Sequence, residues 1–269
     1  MKIYRSFLII LCLSSFLFFS CDTILDLLGS SGGGSPSPSF TESEAVEAMK
    51  SALNIGAKKS SEQLSKIDAC YNNELLKILL PHEAGVILDA VDRIPNGKGL
   101  VEDVIKRLNR CAEEAAKEVV PIFSEAITGM TVQDGIGIVM GERDAATVYL
   151  KDKTYNQLMK LYQPKMKAVL EKDLIGGMSA NSAWETLTDA YNSVVNVGGG
   201  LGGAIIGGIT GTDVKPVEVD LATYATGKAL DGVFVKVAEE EGKIRDNPLD
   251  YAENIIKKVF GAVKGILTN

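Results

Sequence analysis

A helical pattern of apolar residues recurs along most of this chain and restricts its fold more than any other feature. The pattern is clearest between Leu100 and Val120, where apolar residues fall three or four positions apart and charged residues lie mostly between them. The apolar positions are Val101, Val104, Ile105, Leu108, Ala112, Ala115, Ala116 and Val119. This spacing places them on one face of an α-helix, which must pack against other elements.

Weaker versions of the same pattern predict further helices, and convincing alternating β patterns are absent. Thr41 and Glu44 form a capping box at the first helix start. Pro164 and the pair Gly176-Gly177 are expected to interrupt helices, whereas residues 75–80 are predicted as a short extended piece. Helices are predicted over residues 42–53 with a continuation to 64, 82–92, 145–150, 155–162, 165–174, 183–195, 219–240 and 249–266. The fold class is therefore all-α, a single compact domain of about eight to ten short-to-medium helices over residues 40–269.

The first 20 residues have the composition of a secretory signal peptide. Lys2 and Arg5 precede a mostly apolar run from Phe7 to Phe19, and the small residue Ser20 stands before Cys21. The apolar run is about 13 residues long, shorter than the roughly 20 that a spanning helix needs, which favours a cleaved signal over a permanent anchor. Ser20-Cys21 resembles the end of a bacterial lipobox, and this resemblance implies that Cys21 becomes the lipidated first residue.

Residues 21–39 are predicted to form a lipid-anchored flexible linker. Gly29 to Ser39 has the sequence GSSGGGSPSPS, which offers no apolar side chain for packing. The sequence thus predicts a protein of the cell envelope, held by the lipid on Cys21 on the periplasmic face of the inner or the outer membrane. Asp22 resembles an inner-membrane retention signal, but that rule differs between phyla, so both membranes stay open.

The charge balance argues against some classes of partner. The chain has 28 basic and 35 acidic residues, and cleavage before Cys21 would remove Lys2 and Arg5 from the basic set. An acidic surface argues against a nucleic-acid partner, which needs a basic stripe, and against broad adhesion to anionic lipid. The expected partners are the membrane, through the lipid on Cys21, and a protein partner or a second copy of this chain.

Two cysteines remain once Cys12 is assigned to the signal and Cys21 to the lipid. An exported chain can oxidise Cys70 and Cys111 to a disulfide. The alternative, which we favour, is a pair of separate buried thiols that act as small apolar residues. Sequence spacing does not decide between the two, because it cannot show whether the side chains meet.

A glycine-rich insertion is predicted over residues 196–216. Gly199, Gly203, Gly207 and Gly211 recur every four residues in a stretch without charge. On a helix they would share one face, and the segment would then insert into a membrane or self-associate through small residues. We favour a loop, because each glycine inside a helix costs about 1 kcal/mol in water.

The chain offers few residues for catalysis or metal binding. His82 is the single histidine, and its position after Pro81 at a predicted helix start favours a surface or capping role. Zinc sites need several Cys and His ligands, di-iron sites need Glu-x-x-His pairs and phosphate loops need Gly-Lys-Ser/Thr, none of which occurs. We therefore assign no catalytic residue, metal or cofactor.

Carboxylates and arginines are the remaining candidates for a binding site. Arg110 lies one turn before Glu114, and Glu239–Glu241 lie one turn before Arg245. One interpretation is a buried polar cluster that binds a cation or a cationic ligand, or performs acid–base chemistry. The other, which we favour, is that these residues form helix caps and ion pairs. If a ligand site exists, its predicted residues are Arg110, Glu114, Glu240 and Arg245.

An ordered set of motifs runs through the helical region. They include Leu108–Ala115 (LNRCAEEA), Pro121–Phe123 (PIF), Asp144–Thr147 (DAAT), Asp220-Leu221, Lys228–Gly232 (KALDG), Ala238–Glu241 (AEEE) and Lys257–Gly261 (KKVFG). Over residues 41–261 the chain resembles the bacterial exported family known as domain of unknown function 4197. The resemblance implies a helical, exported protein, and it brings no established activity. It also implies that the glycine segment is an addition to a shorter connection before Asp220.

The last predicted helix combines an apolar face with Lys257, Lys258 and Lys264. Such a helix can lie on a membrane surface or pack as the final helix on the core. The family-like motif Lys257–Gly261 favours packing on the core.

The sequence as a whole predicts a lipid-anchored envelope protein of unknown molecular activity. Its expected role is non-enzymatic binding of a protein partner or a small ligand near the membrane. Two alternatives stay open, namely an enzyme with a carboxylate/arginine site and a self-associating, membrane-active protein that uses the glycine segment.

Overall fold

Helices account for nearly all regular structure wherever the computed structural model describes the chain, which is over residues 39–196, 217 and 219–267. These ranges contain nine α-helices, four short 3₁₀ turns and no strand longer than the isolated bridge between Ile175 and Met178. The helices are α1 (Glu42–Leu64), α2 (Gly85–Ala90), α3 (Gly97–Ala115), α4 (Val119–Gly129), α5 (Gly135–Met140), α6 (Ala145–Leu170), α7 (Ala180–Asn196), α8 (Leu221–Asp246) and α9 (Asn254–Leu267). The 3₁₀ turns are His82–Ala84, Val91–Arg93, Ala116–Glu118 and Pro248–Asp250. The predicted all-α class and number of helices are confirmed for this part of the chain.

Three predicted features fall outside the described residues. They are the signal over residues 1–20, the linker from the lipid site Cys21 to residue 38, and residues 197–216 of the glycine insertion. Each stays a prediction.

The core is centred on the contact between α1 and α8. Gly56 of α1 lies so close to Val237 of α8 that an added Cβ atom would stand 3.0 Å from Val237 Cγ1 and 3.3 Å from its Cα. Next to this pair, α6 packs against α8, α4 packs against α1, and α4 and α6 also contact each other. The rings of Phe123 and Phe234, from α4 and α8, have centroids 5.4 Å apart. Helices that are distant in sequence therefore share one core.

Polar side chains cap the N-termini of several helices. The predicted capping box of Thr41 and Glu44 is present at the start of α1. Asp134 accepts a hydrogen bond from Gly137 N at the start of α5, and Asp220 accepts bonds from two backbone N–H groups at the start of α8. These N–H groups have no partner inside the helix, so each cap stabilises the end at which it lies. The hydrogen bonds from Thr223 hold the pKa of Asp220 below its ordinary value.

α6 is one continuous helix that passes through Pro164, so the predicted break at this residue is wrong. A proline inside a helix removes a backbone hydrogen bond and costs about 3 kcal/mol. Leu158 and Tyr162 are buried before the proline, and Met166 is buried after it. Burial of a large apolar side chain contributes about 1.5–3 kcal/mol, so tertiary packing outweighs the local cost.

α9 packs on the core, which is the alternative that the sequence motif Lys257–Gly261 favoured. Ile256, Val259, Phe260 and Val263 form its buried face. The face that would have been needed to lie on a membrane is thus covered by the domain itself. Among the described helices, none combines the length and the apolar character required to cross a membrane.

Candidate functional site

A buried carboxylate on α3 organises the loop that follows α1. Glu113 accepts hydrogen bonds from the backbone N–H groups of Asp68 and Cys70, at 3.0 and 3.1 Å, and from the guanidinium of Arg110 at 2.9 Å. Burial raises the pKa of Glu113, and these hydrogen bonds and the positive charge oppose that rise. Asp68 has a φ of 61°, a left-handed conformation that is uncommon for a non-glycine residue. Glu113 and Arg110 therefore hold a tight turn in place.

A second buried carboxylate joins three helices. Glu241 of α8 accepts hydrogen bonds from the backbone N–H groups of Ala146 and Thr147, at 3.0 and 2.8 Å, at the start of α6. Its other partner is Arg245, whose Nη2 lies 2.7 Å away. Arg245 in turn donates to the carbonyl groups of Val139 and Ile138 at the end of α5. A negative charge thus meets a helix N-terminus and a positive charge meets a helix C-terminus, which is the stabilising sense of both helix dipoles.

The four predicted ligand-binding residues do not converge in the structure. Arg110 pairs with Glu113 rather than with Glu114, and Glu114 pairs with Lys117. Glu240 accepts hydrogen bonds from Lys243 and from the hydroxyl of Tyr251, and Arg245 is held by Glu241. Each of the four residues therefore pairs with a neighbour outside the predicted set. Glu113 and Glu241 cannot be distinguished from their neighbours in the sequence, because helical spacing alone does not show which of two adjacent glutamates faces the core.

Cys70 and Cys111 are both free and buried, so the structure has separate thiols and no disulfide between them. Cys111 donates to the carbonyl oxygen of Val169, with the sulfur 3.7 Å from that oxygen. Burial raises the pKa of each thiol to about 12. Neither thiol is poised to act as a nucleophile, because the thiolate is the reactive form.

A cleft lies where the α5–α6 turn meets the ends of α8 and α9. Its volume is about 670 Å³, a size typical of small-molecule sites. Met140, Phe260 and Val263 supply its apolar wall, and Phe260 and Val263 are almost fully buried. Arg245, the one predicted site residue here, lies with its guanidinium 5.3 Å from the Phe260 ring. The wall is thus fixed by core packing and by the bonds of Arg245 to α5.

A forked ion pair forms the rim of this cleft. Both terminal nitrogens of Arg143 donate to the two carboxylate oxygens of Asp246, at 2.5 and 2.6 Å. The pair is open to solvent, with the side chains of Arg143 and Asp246 60% and 50% exposed. Arg143 lies against the backbone of Gly242, where an added Cβ would come within 2.6 Å of its Nε. The pKa of Asp246 is lowered by the hydrogen bonds from Arg143.

The groups in this cleft are suited to binding an anionic group. A guanidinium fork presents two parallel N–H groups, which match a carboxylate or a phosphate. Among the described residues, no group of three His, Cys, Asp or Glu side chains is placed to hold a metal ion. Arg143 and Asp246 were not predicted as site residues, because Arg143 lies in the α5–α6 turn, Asp246 ends α8, and no sequence spacing relates them.

Comparison with known proteins identifies the family of the chain. No curated protein and no solved structure matches it. A family model described as "Protein of unknown function (DUF4197)" matches residues 39–261, a range that includes both buried carboxylates and all residues of the cleft rim. The chain therefore belongs to the DUF4197 family of proteins of unknown function.

Proposed function

We propose that this protein is a lipid-anchored, non-enzymatic binding protein of the cell envelope. Its proposed ligand is a small molecule with a carboxylate and a short apolar part, held in the cleft beside Arg143. The observation that carries the proposal is the solvent-open fork between Arg143 and Asp246, which stands next to a rigid apolar wall.

Asp246 occupies the position that a ligand carboxylate would take. Its two oxygens already show the geometry in which a guanidinium binds such a group. Exposed ion pairs contribute little to stability, so exchange of Asp246 for an external carboxylate would sacrifice little. The fork is therefore both formed in advance and exchangeable.

The apolar wall beside the fork would contact the apolar part of the ligand. Met140 is half-buried, and Phe260 and Val263 are held by the core, so these side chains need no ordering when a ligand arrives. Apolar surface removed from water contributes about 25 cal/mol per Å², and because Phe260 and Val263 are almost fully buried, the surface that a ligand could cover on this wall comes mainly from Met140. A ligand with a few methylene groups beside its carboxylate would use both features.

The buried acids support a binding role over the enzyme alternative. Glu113 and Glu241 each accept backbone hydrogen bonds and an arginine, so their charges are used to hold the fold. Acid–base catalysis would need such a group to face a substrate within hydrogen-bond distance. The predicted lipid on Cys21 and the linker over residues 21–39 would keep the cleft close to a membrane, where amphiphilic molecules concentrate.

The proposal is tested by titrating the protein with octanoate in an isothermal calorimeter. Arg143→Gln should weaken binding at least tenfold, because the charged fork is lost. Asp246→Asn should tighten binding by up to about fivefold, because it removes the competing carboxylate. Glu118→Gln is a matched control, since Glu118 forms an exposed pair with Lys165 at 3.2 Å.

Opposite effects of the two cleft variants, with no effect of the control, would support the site. If octanoate does not bind, or if Arg143→Gln binds it as tightly as the unmodified protein, the proposal is wrong. Thermal unfolding of each variant should stay close to that of the unmodified protein, because both replaced side chains are exposed.

A further inference from the structure

A second groove runs along α8, on the side covered by the segment 75–80. It has a volume of about 440 Å³ and is lined by leucines of that segment together with Tyr224, Lys228 and Val235. Two of these leucines, Leu75 and Leu79, are 84% and 56% exposed. The groove is large enough for a small organic molecule.

An enclosed cavity lies directly beneath this groove. Leu76, Ile78, Lys228 and Gly232 line both spaces, so the floor of the groove is the roof of the cavity. The cavity holds about 10 Å³, which is close to the room needed for one water molecule or one oxygen atom of a ligand. Its inner wall includes Tyr162 and Cys70.

The hydroxyl of Tyr162 has no hydrogen-bond partner. Tyr162 is only 1% exposed, and among the described residues its hydroxyl and that of Tyr191 are the buried side-chain groups that lack one. Burial raises the pKa of Tyr162, so the phenol keeps its proton and can act as a donor. Buried hydroxyl groups normally have a partner, and since Tyr162 lines the cavity, a molecule that enters it could supply the acceptor that this hydroxyl lacks.

The segment over the cavity is attached by few hydrogen bonds. Asn109 bonds to both the N–H and the C=O group of Ile78, at 2.9 and 2.8 Å, and Tyr224 donates to the carbonyl oxygen of Leu79 at 2.8 Å. Residues 77–81 belong to no helix or strand, and their other backbone hydrogen bonds run from Lys77 N to Asn73 O at 2.8 Å and from Ala84 N to Pro81 O at 2.9 Å. Segments with few such bonds open more easily than helices do.

We propose that the groove and the cavity form one binding site for an uncharged small molecule with an apolar body and a carbonyl oxygen. The body lies in the groove, and the carbonyl oxygen enters the cavity and accepts a hydrogen bond from Tyr162. Leu76 and Ile78 move aside to admit it. The group that enters the cavity is uncharged because most of the wall around Tyr162 is apolar, and the one charged residue on it, Lys228, is exposed to solvent. This site is separate from the cleft of Arg143 and does not depend on the function proposed for that cleft.

The experiment measures the thermal unfolding midpoint of the full chain with and without 2-heptanone. In the unmodified protein the ketone should raise the midpoint by a few degrees, because a ligand that binds only the folded state stabilises it. Tyr162→Phe should abolish most of this rise, because the donor is lost. Tyr191→Phe is the matched control, since it also removes a partnerless buried hydroxyl but Tyr191 does not line the cavity.

A second variant tests the path into the cavity. A Cβ added at Gly232 would lie 3.6 Å from Leu76 Cδ2, an ordinary contact that the fold tolerates. Gly232→Ala should therefore raise the midpoint without ligand, because alanine favours the helix, while it reduces the rise caused by 2-heptanone.

Two results would overturn the proposal. One is the absence of any rise in the unmodified protein. The other is an equal rise in the unmodified protein, Tyr162→Phe and Gly232→Ala, which would mean that the ketone binds elsewhere and that a single water satisfies Tyr162. Arg143→Gln should leave the rise unchanged, which separates this site from the cleft.

Discussion

Replacing Glu241 by glutamine should be among the most damaging single changes in this domain. The two oxygens of Glu241 divide its donors between them. One accepts from Ala146 N and from both Nε and Nη2 of Arg245, and the other accepts from the N–H and the hydroxyl of Thr147. A glutamine has one oxygen and one NH₂ group, so in either orientation its NH₂ must face buried donors.

The size of the effect follows from these contacts. In the milder orientation the NH₂ group faces Thr147, and the N–H group at the start of α6 loses its acceptor. Arg245 also loses its buried counter-charge, and removal of one partner from a buried ion pair costs about 3–5 kcal/mol. We expect the free energy of unfolding to fall by this amount and the thermal midpoint by roughly 10 °C.

Urea unfolding followed by circular dichroism at 222 nm measures this loss. Glu239→Gln is the matched control on the same helix, because Glu239 forms a surface pair with Lys236 and is 43% exposed. The control should change the free energy of unfolding by less than about 0.5 kcal/mol. A loss below about 1 kcal/mol for Glu241→Gln, a value typical of exposed pairs, would refute the structural role given to this carboxylate.

Further predictions follow from other contacts of the fold. Gly56→Leu should destabilise the domain by at least 1–3 kcal/mol in the same urea assay, a cost typical of overpacking, because its side chain would overlap Val237. Cys70 and Cys111 should react with iodoacetamide at pH 8 about a thousandfold more slowly than exposed thiols, since a pKa of about 12 instead of 9.0 reduces the thiolate fraction by that factor. After denaturation without reductant, iodoacetamide should label both cysteines in a peptide map, and failure to label them would indicate a disulfide. Asp220→Ala should cost about 1 kcal/mol through loss of the cap on α8. Because the pKa of Asp220 is lowered in the folded state, the contribution of its charge is present above the ordinary value of 3.8 and is lost as the pH falls from there through the lowered pKa, so the difference in urea unfolding should be smaller near pH 2 than at pH 7.

The fold could be predicted from the sequence because local signals and packing agree over most helices. The capping box at Thr41 and the amphipathic stripe of α3 each identify a helix without reference to the rest of the chain. Pro164 shows the limit of such reasoning. A local signal against the helix is outweighed there by the burial of Tyr162 and Met166, and that burial depends on α6 meeting other helices.

The candidate site was harder to predict from the sequence than the fold. Arg245 was identified as a candidate from the sequence. The rim of the same cleft could not be identified, because Arg143 and Asp246 are 103 residues apart in the sequence. The role of Tyr162 was hidden for a similar reason. The sequence predicts only that Tyr162 ends a helix over residues 155–162, and the three-dimensional packing is needed to show that its hydroxyl is buried and lacks a partner.

The proposed function is tested most directly by native mass spectrometry of the full-length protein, extracted gently from its own membranes. We expect a chain that begins at a lipidated Cys21 and carries a small acidic molecule of a few hundred daltons, which is retained by Glu118→Gln and lost from Arg143→Gln. A chain that retains residues 1–20, or one that carries no ligand in any variant, would contradict it.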